Sequence, residues 1–260
     1  MLKLMPKFFK FQSLFLLCFS FSLFSCKSDK KPDSIKIATA ANMQFAMKEL
    51  IETFQQETGI KCEAVVSSSG KLTAQIKTGA PFDIFISADL RYPNILFKEG
   101  FSQESPKIYT NGTLVLWTTS ENIEPSLEIL SEEKIKHIAI ANSKTSPYGL
   151  ATEEFLKKTE ELDNLESKFV FGESISAVNR YIHSGATEIG FTAKSVVLSP
   201  QMKNVGRWIE IDPSQYSNIE QAALLLKSER PKTIKNAREF YEFLFSAKAK
   251  KILGKYGYRS

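Results

Sequence analysis

The sequence predicts an α/β protein of two lobes, each a mostly parallel sheet flanked by helices, with a ligand cleft between the lobes. Three features of the chain carry that expectation. Short apolar runs alternate with amphipathic helical stretches from Ser34 onward, the pattern of strand–helix–strand units. A second set of such units begins at His137. The turns leading from strand into helix carry small polar residues, Asn42 and Ser67-Ser68-Ser69-Gly70 among them. These turns fall at the sheet edge where open α/β folds bind ligands.

The first unit opens with Ile35, Ile37 and Ala38, a strand that alternates and then turns apolar. Met43, Ala46, Met47, Leu50, Ile51 and Phe54 then recur on one helical face, with Asn42 as the expected N-cap and Gly59 as the stop. Ile60 to Val66 is the next strand, and its end, Ala64-Val65-Val66, is expected to be buried. Leu72 and Ile76 mark a short helix stopped by Gly79 and Pro81, with Ser68 or Ser69 as its cap. Free N–H groups and the helix dipole at such a start favour an anion, and nothing acidic lies near before Asp83. Ile84 to Ile86 is a strand, and residues 90–100 form a helix ending at Gly100. Leu114 to Trp117 is a strand that carries the chain into the second lobe, and Pro125 opens a short helix through Leu130.

His137 to Ala141 is a strand, residues 142–147 a polar turn, and Tyr148 to Lys158 a helix with Ala151, Phe155 and Leu156 on one side. Phe169 to Phe171 is a strand, after which Ser174 caps a helix holding Ile175, Val178 and Ile182 and ending at Gly185. Ile189 to Phe191 is a short strand, and Trp208–Ile211 and Ala222–Leu226 are extended. The stretch near residues 211–217 brings the chain back to the first lobe, on which one long amphipathic helix from Thr233 packs. Lobe one therefore comprises residues 35–113 and 213–260, and lobe two residues 114–212.

Composition narrows the function. The chain has 260 residues and a net charge of +5, but residues 1–25 contribute three lysines and no acid. The remainder holds 31 basic against 29 acidic residues, too even a balance to argue for nucleic acid. Lys3, Lys7 and Lys10 precede an apolar run from about Phe11 to Phe24, too short to span a bilayer and fitting the core of a signal peptide. The run ends in Leu23-Phe24-Ser25-Cys26, which is similar to the lipobox of bacterial lipoproteins. That likeness implies cleavage before Cys26, a lipid on its thiol, a polar tether over residues 26–34, and an exported, membrane-anchored location. The alternative is an ordinary signal peptide with an incidental cysteine. Cys18 leaves with the signal, and Cys62 remains alone in a strand as a small hydrophobe, so the mature protein carries no disulfide.

Five segments, ATAANMQFAMKEL, SSSGKLTAQIKTGAPFDIFISAD, SPYGLATEEFL, GESISAVNRYI and EIGFTAKS, resemble in order and spacing the periplasmic molybdate-binding proteins of ABC transporters. The resemblance runs from about Ile35 to Tyr256. It implies a type II periplasmic-binding-protein fold closing over one tetrahedral oxyanion, molybdate or tungstate, held by hydroxyl, amide and backbone N–H donors. It implies no cofactor, no metal beyond the oxyanion, and no enzymatic activity. It also implies a monomer that delivers its ligand to the membrane subunits of an ABC permease, with no nucleic acid partner. The family's binding positions fall on Asn42, preceded by the small Ala41, and on Ser69, Tyr148 and Ile175, the last two through their N–H groups. Some members add a tyrosine hydroxyl where this chain has Ala193. Lys71 and Arg180 lie near these positions in sequence and read as solvated helix faces.

Two other readings compete. The same fold serves other small oxyanions such as sulfate or phosphate. An exported hydrolase with a nucleophile in the serine run needs a base beside it. The only histidines are His137, in a strand, and His183, at a helix end, and no G-x-S-x-G elbow is present.

Overall fold

The computed structural model describes residues 34–228 and 231–259. The signal peptide, the tether and Cys26 lie outside the described residues. Among those described, no helix is long and apolar enough to cross a membrane.

The first sheet is built from β1 (Ile35–Ala40), β2 (Cys62–Ser67), β3 (Ile84–Ser87), β4 (Lys107–Gly112) and β10 (Ile219–Leu225), in the order β2-β1-β3-β10-β4. The second holds β5 (Leu114–Thr118), β6 (Ile138–Ala141), β7 (Phe169–Gly172), β8 (Ile189–Ala193) and β9 (Arg207–Glu210), in the order β7-β6-β8-β5-β9. Each has three parallel strands on one side, and each places one reversed strand fourth: β10 is antiparallel to β3 and β4, and β5 to β8 and β9. Both reversed strands follow a crossing between sheets. The chain passes from β4 to β5 through Thr113 alone, and returns between β9 and β10.

Helices cover the first sheet on both faces. On one lie α1 (Gln44–Thr58), α8 (Pro231–Phe243) and α9 (Ala247–Lys255), whose Leu50, Phe54, Phe240 and Ile252, with Leu244 between α8 and α9, share a core with Ile35, Ile37 and Ile84. On the other lie α2 (Ser69–Lys77) and α3 (Arg91–Lys98), where Leu72, Ile76 and Leu96 meet Ala38 and Phe85. The second sheet packs with α4 (Pro147–Lys158), α5 (Leu162–Leu165), α6 (Ile175–His183) and α7 (Lys194–Val197) around Trp117, Phe155 and Phe191. Apart from the helix expected from Pro125, the strand–helix units read from the sequence are present, because an apolar stripe at the right period needs only one face to bury.

Four expectations require correction. The long C-terminal helix is two: α8 ends at Phe243, and Ser246 caps α9 by accepting the Ala249 N–H at 3.1 Å. The helix expected from Pro125 is only a 3₁₀ turn at Glu128–Ser131. The end of β2 is not buried: Val65 is 43% exposed, because β2 is an edge strand paired with β1 alone. Asn42 does not cap α1; it sits in a 3₁₀ turn, Ala41–Met43, that runs into the helix. β4, α5 and α7 were not legible in the residue pattern. Cys62 is half-buried, and burial pushes its thiol up to about 12, so it stays protonated and inert at neutral pH.

Phe240 anchors the C-terminal helices. It is fully buried and meets Phe54 edge-on at 5.1 Å. Phe240→Ala is expected to cost about 3–5 kcal/mol and lower Tm by roughly 10 °C. Calorimetry checks this, and a drop within error of zero contradicts the packing described.

Candidate functional site

Four strand-to-helix turns converge. From the first sheet come the Ala41–Met43 turn after β1 and the start of α2 after β2; from the second come the starts of α4 after β6 and of α6 after β7. They enclose one small cavity lined by Ala40, Ala41, Asn42, Ser68, Ser69, Ala88, Ser146, Pro147, Tyr148 and Ile175. All five candidate binding residues, Ala41, Asn42, Ser69, Tyr148 and Ile175, line it and are buried. The space open to the centre of a water-sized sphere is about 10 Å³. That is about the room one water molecule needs, against about 300–1,000 Å³ for pockets that hold drug-sized organic molecules.

The chemistry of the lining is specific. No charged side chain and no histidine contributes to it. Ser69 opens α2, Ile175 opens α6, and Tyr148 follows Pro147 at the start of α4. N–H groups in these places have no acceptor within their own helix, and the dipoles add positive potential. The Ser69 hydroxyl accepts the Ala88 N–H at 3.0 Å, which leaves its proton to be donated. Ser68 is the cap of α2, taking the Lys71 N–H at 3.4 Å, so the two serines divide the roles between which the sequence left a choice. Ser174 caps α6 in the same way.

Asn42 departs from its expected role as an amide donor. Both hydrogens of its Nδ2 are spent behind the cavity, on Gln221 Oε1 and on the Tyr258 hydroxyl, each at 2.8 Å. With both amide hydrogens engaged, the backbone N–H is the donor Asn42 has left, and its Oδ1 is buried without a partner. Tyr148 likewise faces away with its side chain. Its hydroxyl is buried beside the Asn42 amide without hydrogen-bonding geometry, and burial raises its pKa well above the ordinary value.

The two lobes are clasped around the cavity. Gly70 N–H donates to Thr145 O at 2.9 Å, and the Tyr92 hydroxyl to Lys144 O at 2.7 Å. Ser176 Oγ donates to Gln44 Oε1 at 2.6 Å, and Ser195 Oγ to Asn42 O at 2.8 Å. Gly70 is required by this approach: a Cβ there would lie 2.7 Å from the Tyr92 hydroxyl and 3.0 Å from Thr145 Cα. Lys71 is not merely a solvated face, since it pairs with Glu173 across the mouth and holds that carboxyl below its usual range. Arg180 is exposed. His137 and His183 are exposed and line no part of the cavity, so Ser69 has no base beside it and the hydrolase reading fails.

Residues 35–259 match the family model described as bacterial extracellular solute-binding protein. The chain belongs to that family. This solute-binding protein is 31% identical over 226 residues to the molybdate-binding protein ModA of Azotobacter vinelandii, covering 86% of this chain and 89% of the relative. It is 33% identical over 222 residues to ModA of Rhodobacter capsulatus, covering 85% and 86%. The solved structure of the Azotobacter vinelandii periplasmic molybdate-binding protein superposes with a TM-score of 0.82, covering 87% of this chain and 99% of that one. The fold is therefore that of the two-lobed periplasmic binding proteins, as the sequence predicts.

Sequence reasoning missed Gln221, Tyr258, Tyr92 and Ser195. Only Gln221 left a signal, a lone amide in the run Ile219–Leu226.

Ser69→Ala removes one donor and leaves the Ala88 N–H buried without a partner. One hydrogen bond to a charged group is worth about 1.5–3 kcal/mol, so oxyanion Kd should rise roughly 10- to 150-fold. Tyr148→Phe keeps its N–H and should bind like wild type. Calorimetric titration of both variants checks this, and unchanged affinity in Ser69→Ala sinks the assignment.

Proposed function

We propose that this protein captures molybdate, and tungstate with it, outside the cytoplasmic membrane and delivers the oxyanion to the membrane subunits of an ABC importer. It acts as a monomer and as a binding component, with no cofactor and no reaction of its own. The observation that carries this reading is a small cavity of buried residues, free of charged side chains, ringed by helix starts and one serine hydroxyl with an available proton. A fully deprotonated oxyanion offers only acceptors, and neutral donors at helix N-termini satisfy them without a counter-charge. The choice of molybdate among oxyanions is supported by the relatives of 31–33% identity. Ala41, Asn42, Ser69, Tyr148 and Ile175 are the proposed contacts, Ser69 through its hydroxyl and the others through backbone N–H.

Calorimetric titration with molybdate, tungstate, sulfate and phosphate tests the ligand. At about 100 times Kd, binding stabilises the closed form by about 2.7 kcal/mol, a Tm rise on the order of 5–10 °C. Molybdate and tungstate should produce the rise and sulfate should not. An equal shift with sulfate or phosphate assigns the site to small oxyanions in general.

The family is extracellular by description, and we assign the anchor to Cys26 on the strength of Leu23-Phe24-Ser25 before it. Cys26→Ser should move the protein from the membrane to the soluble exported fraction. Retention of the variant at the membrane, measured by fractionation, would overturn the lipid anchor and leave the signal peptide.

A further inference from the structure

We propose that Gln221 is a positioning residue that holds both donor turns of the first lobe in register with the oxyanion. The inference rests on the binding function proposed above. Gln221 is fully buried on β10 and does not line the cavity. Its Oε1 accepts the Asn42 amide at 2.8 Å, fixing the turn that begins α1. Its Nε2 donates to Ala88 O at 3.4 Å and to Ile219 O at 3.2 Å. The same Ala88 residue donates its N–H to Ser69 Oγ at 3.0 Å. One amide side chain therefore links the Asn42 turn and the Ser69 hydroxyl, which belong to different strand ends.

The surroundings fit this role. The β10–β4 ladder shifts register between Gln221 and Ala222, and such bulges re-aim a side chain. Gly112, at the crossing into the second lobe, leaves room for it: a Cβ there would lie 2.9 Å from Gln221 Nε2 and 2.1 Å from the Tyr148 hydroxyl. Gln221 thus sits against the crossing and beside the element that supplies the second lobe's N–H. Tyr258 completes the link, accepting the second Asn42 hydrogen and donating to Asn42 O at 3.1 Å. A glutamine suits the position because it is uncharged and offers both an acceptor and two donors, so no buried charge opposes the anion.

Gln221→Met keeps the volume and removes both hydrogen-bonding functions, and Tyr258→Phe removes one hydroxyl while keeping the ring. Each should raise molybdate Kd by about tenfold or more, with the protein still folded by circular dichroism. A double-mutant cycle separates positioning from bulk stability: in the Gln221→Met background, Ser69→Ala should cost less than in wild type, because the hydroxyl is already misplaced. Additive losses, or wild-type affinity in Gln221→Met, would overturn the inference. Amide hydrogen exchange tests it without ligand. Gln221→Met should speed exchange at Ala88 and over residues 41–44 while leaving the second lobe unchanged. Wild-type exchange rates at Ala88 and residues 41–44 in the variant refute positioning, whereas failure of the wild type to bind molybdate refutes the functional reading instead.

Discussion

The first N–H groups of a helix have no acceptor in their own helix, and burying a donor unpaired costs about 1–3 kcal/mol. This structure brings four helix starts into one buried cavity, two from each sheet. A ligand rich in acceptors answers that deficit, and the lining supplies no negative group to repel it. The small size of the cavity excludes drug-sized organic ligands. The polar economy also explains why Ser69 serves as a donor rather than a nucleophile: its oxygen is engaged by Ala88 and no base stands near it.

The way the lobes are joined follows from how the chain crosses. Each sheet takes its one reversed strand from the segment that follows a crossing, so the two lobes are joined by β4–β5 and by the return to β10. Behind the cavity, buried polar side chains gather beside the crossing between the lobes. Asn42, Gln221, Tyr258 and Tyr148 meet there, and Ser195 reaches in from the second lobe. The C-terminal tail belongs to the same cluster, since Arg259 pairs with Asn111 at the end of β4 through N–H and carbonyl contacts of 2.9 and 2.7 Å. Where such groups pair they specify a geometry, as the Asn42 amide does with Gln221 and Tyr258, while Asn42 Oδ1 and the Tyr148 hydroxyl stay unpaired beside them. At the mouth the contacts are of another kind, backbone carbonyls and the exposed Lys71–Glu173 pair, for which solvent can compete.

Much of this was legible in the residues. Strand and helix alternation, the serine run and the glycine stops are local signals, and each depends on a few neighbouring positions. The helix starts at Ser69, Tyr148 and Ile175 could be placed for the same reason, since a cap or a proline fixes the first turn. Edge position is not local: Val65 and Val66 read as core residues, but nothing in β2 announces that only one neighbour pairs with it.

The sequence by itself determined the two sets of α/β units and the small neutral residues at their turns, because periodicity and capping act over a few residues. Tertiary structure decided where the polar side chains point. Asn42 reads as a helix cap and an amide donor, yet its partners Gln221 and Tyr258 lie 179 and 216 residues away. A side chain with two donors takes whichever buried acceptors the fold brings to it, and that choice is made only when both ends of the chain have met.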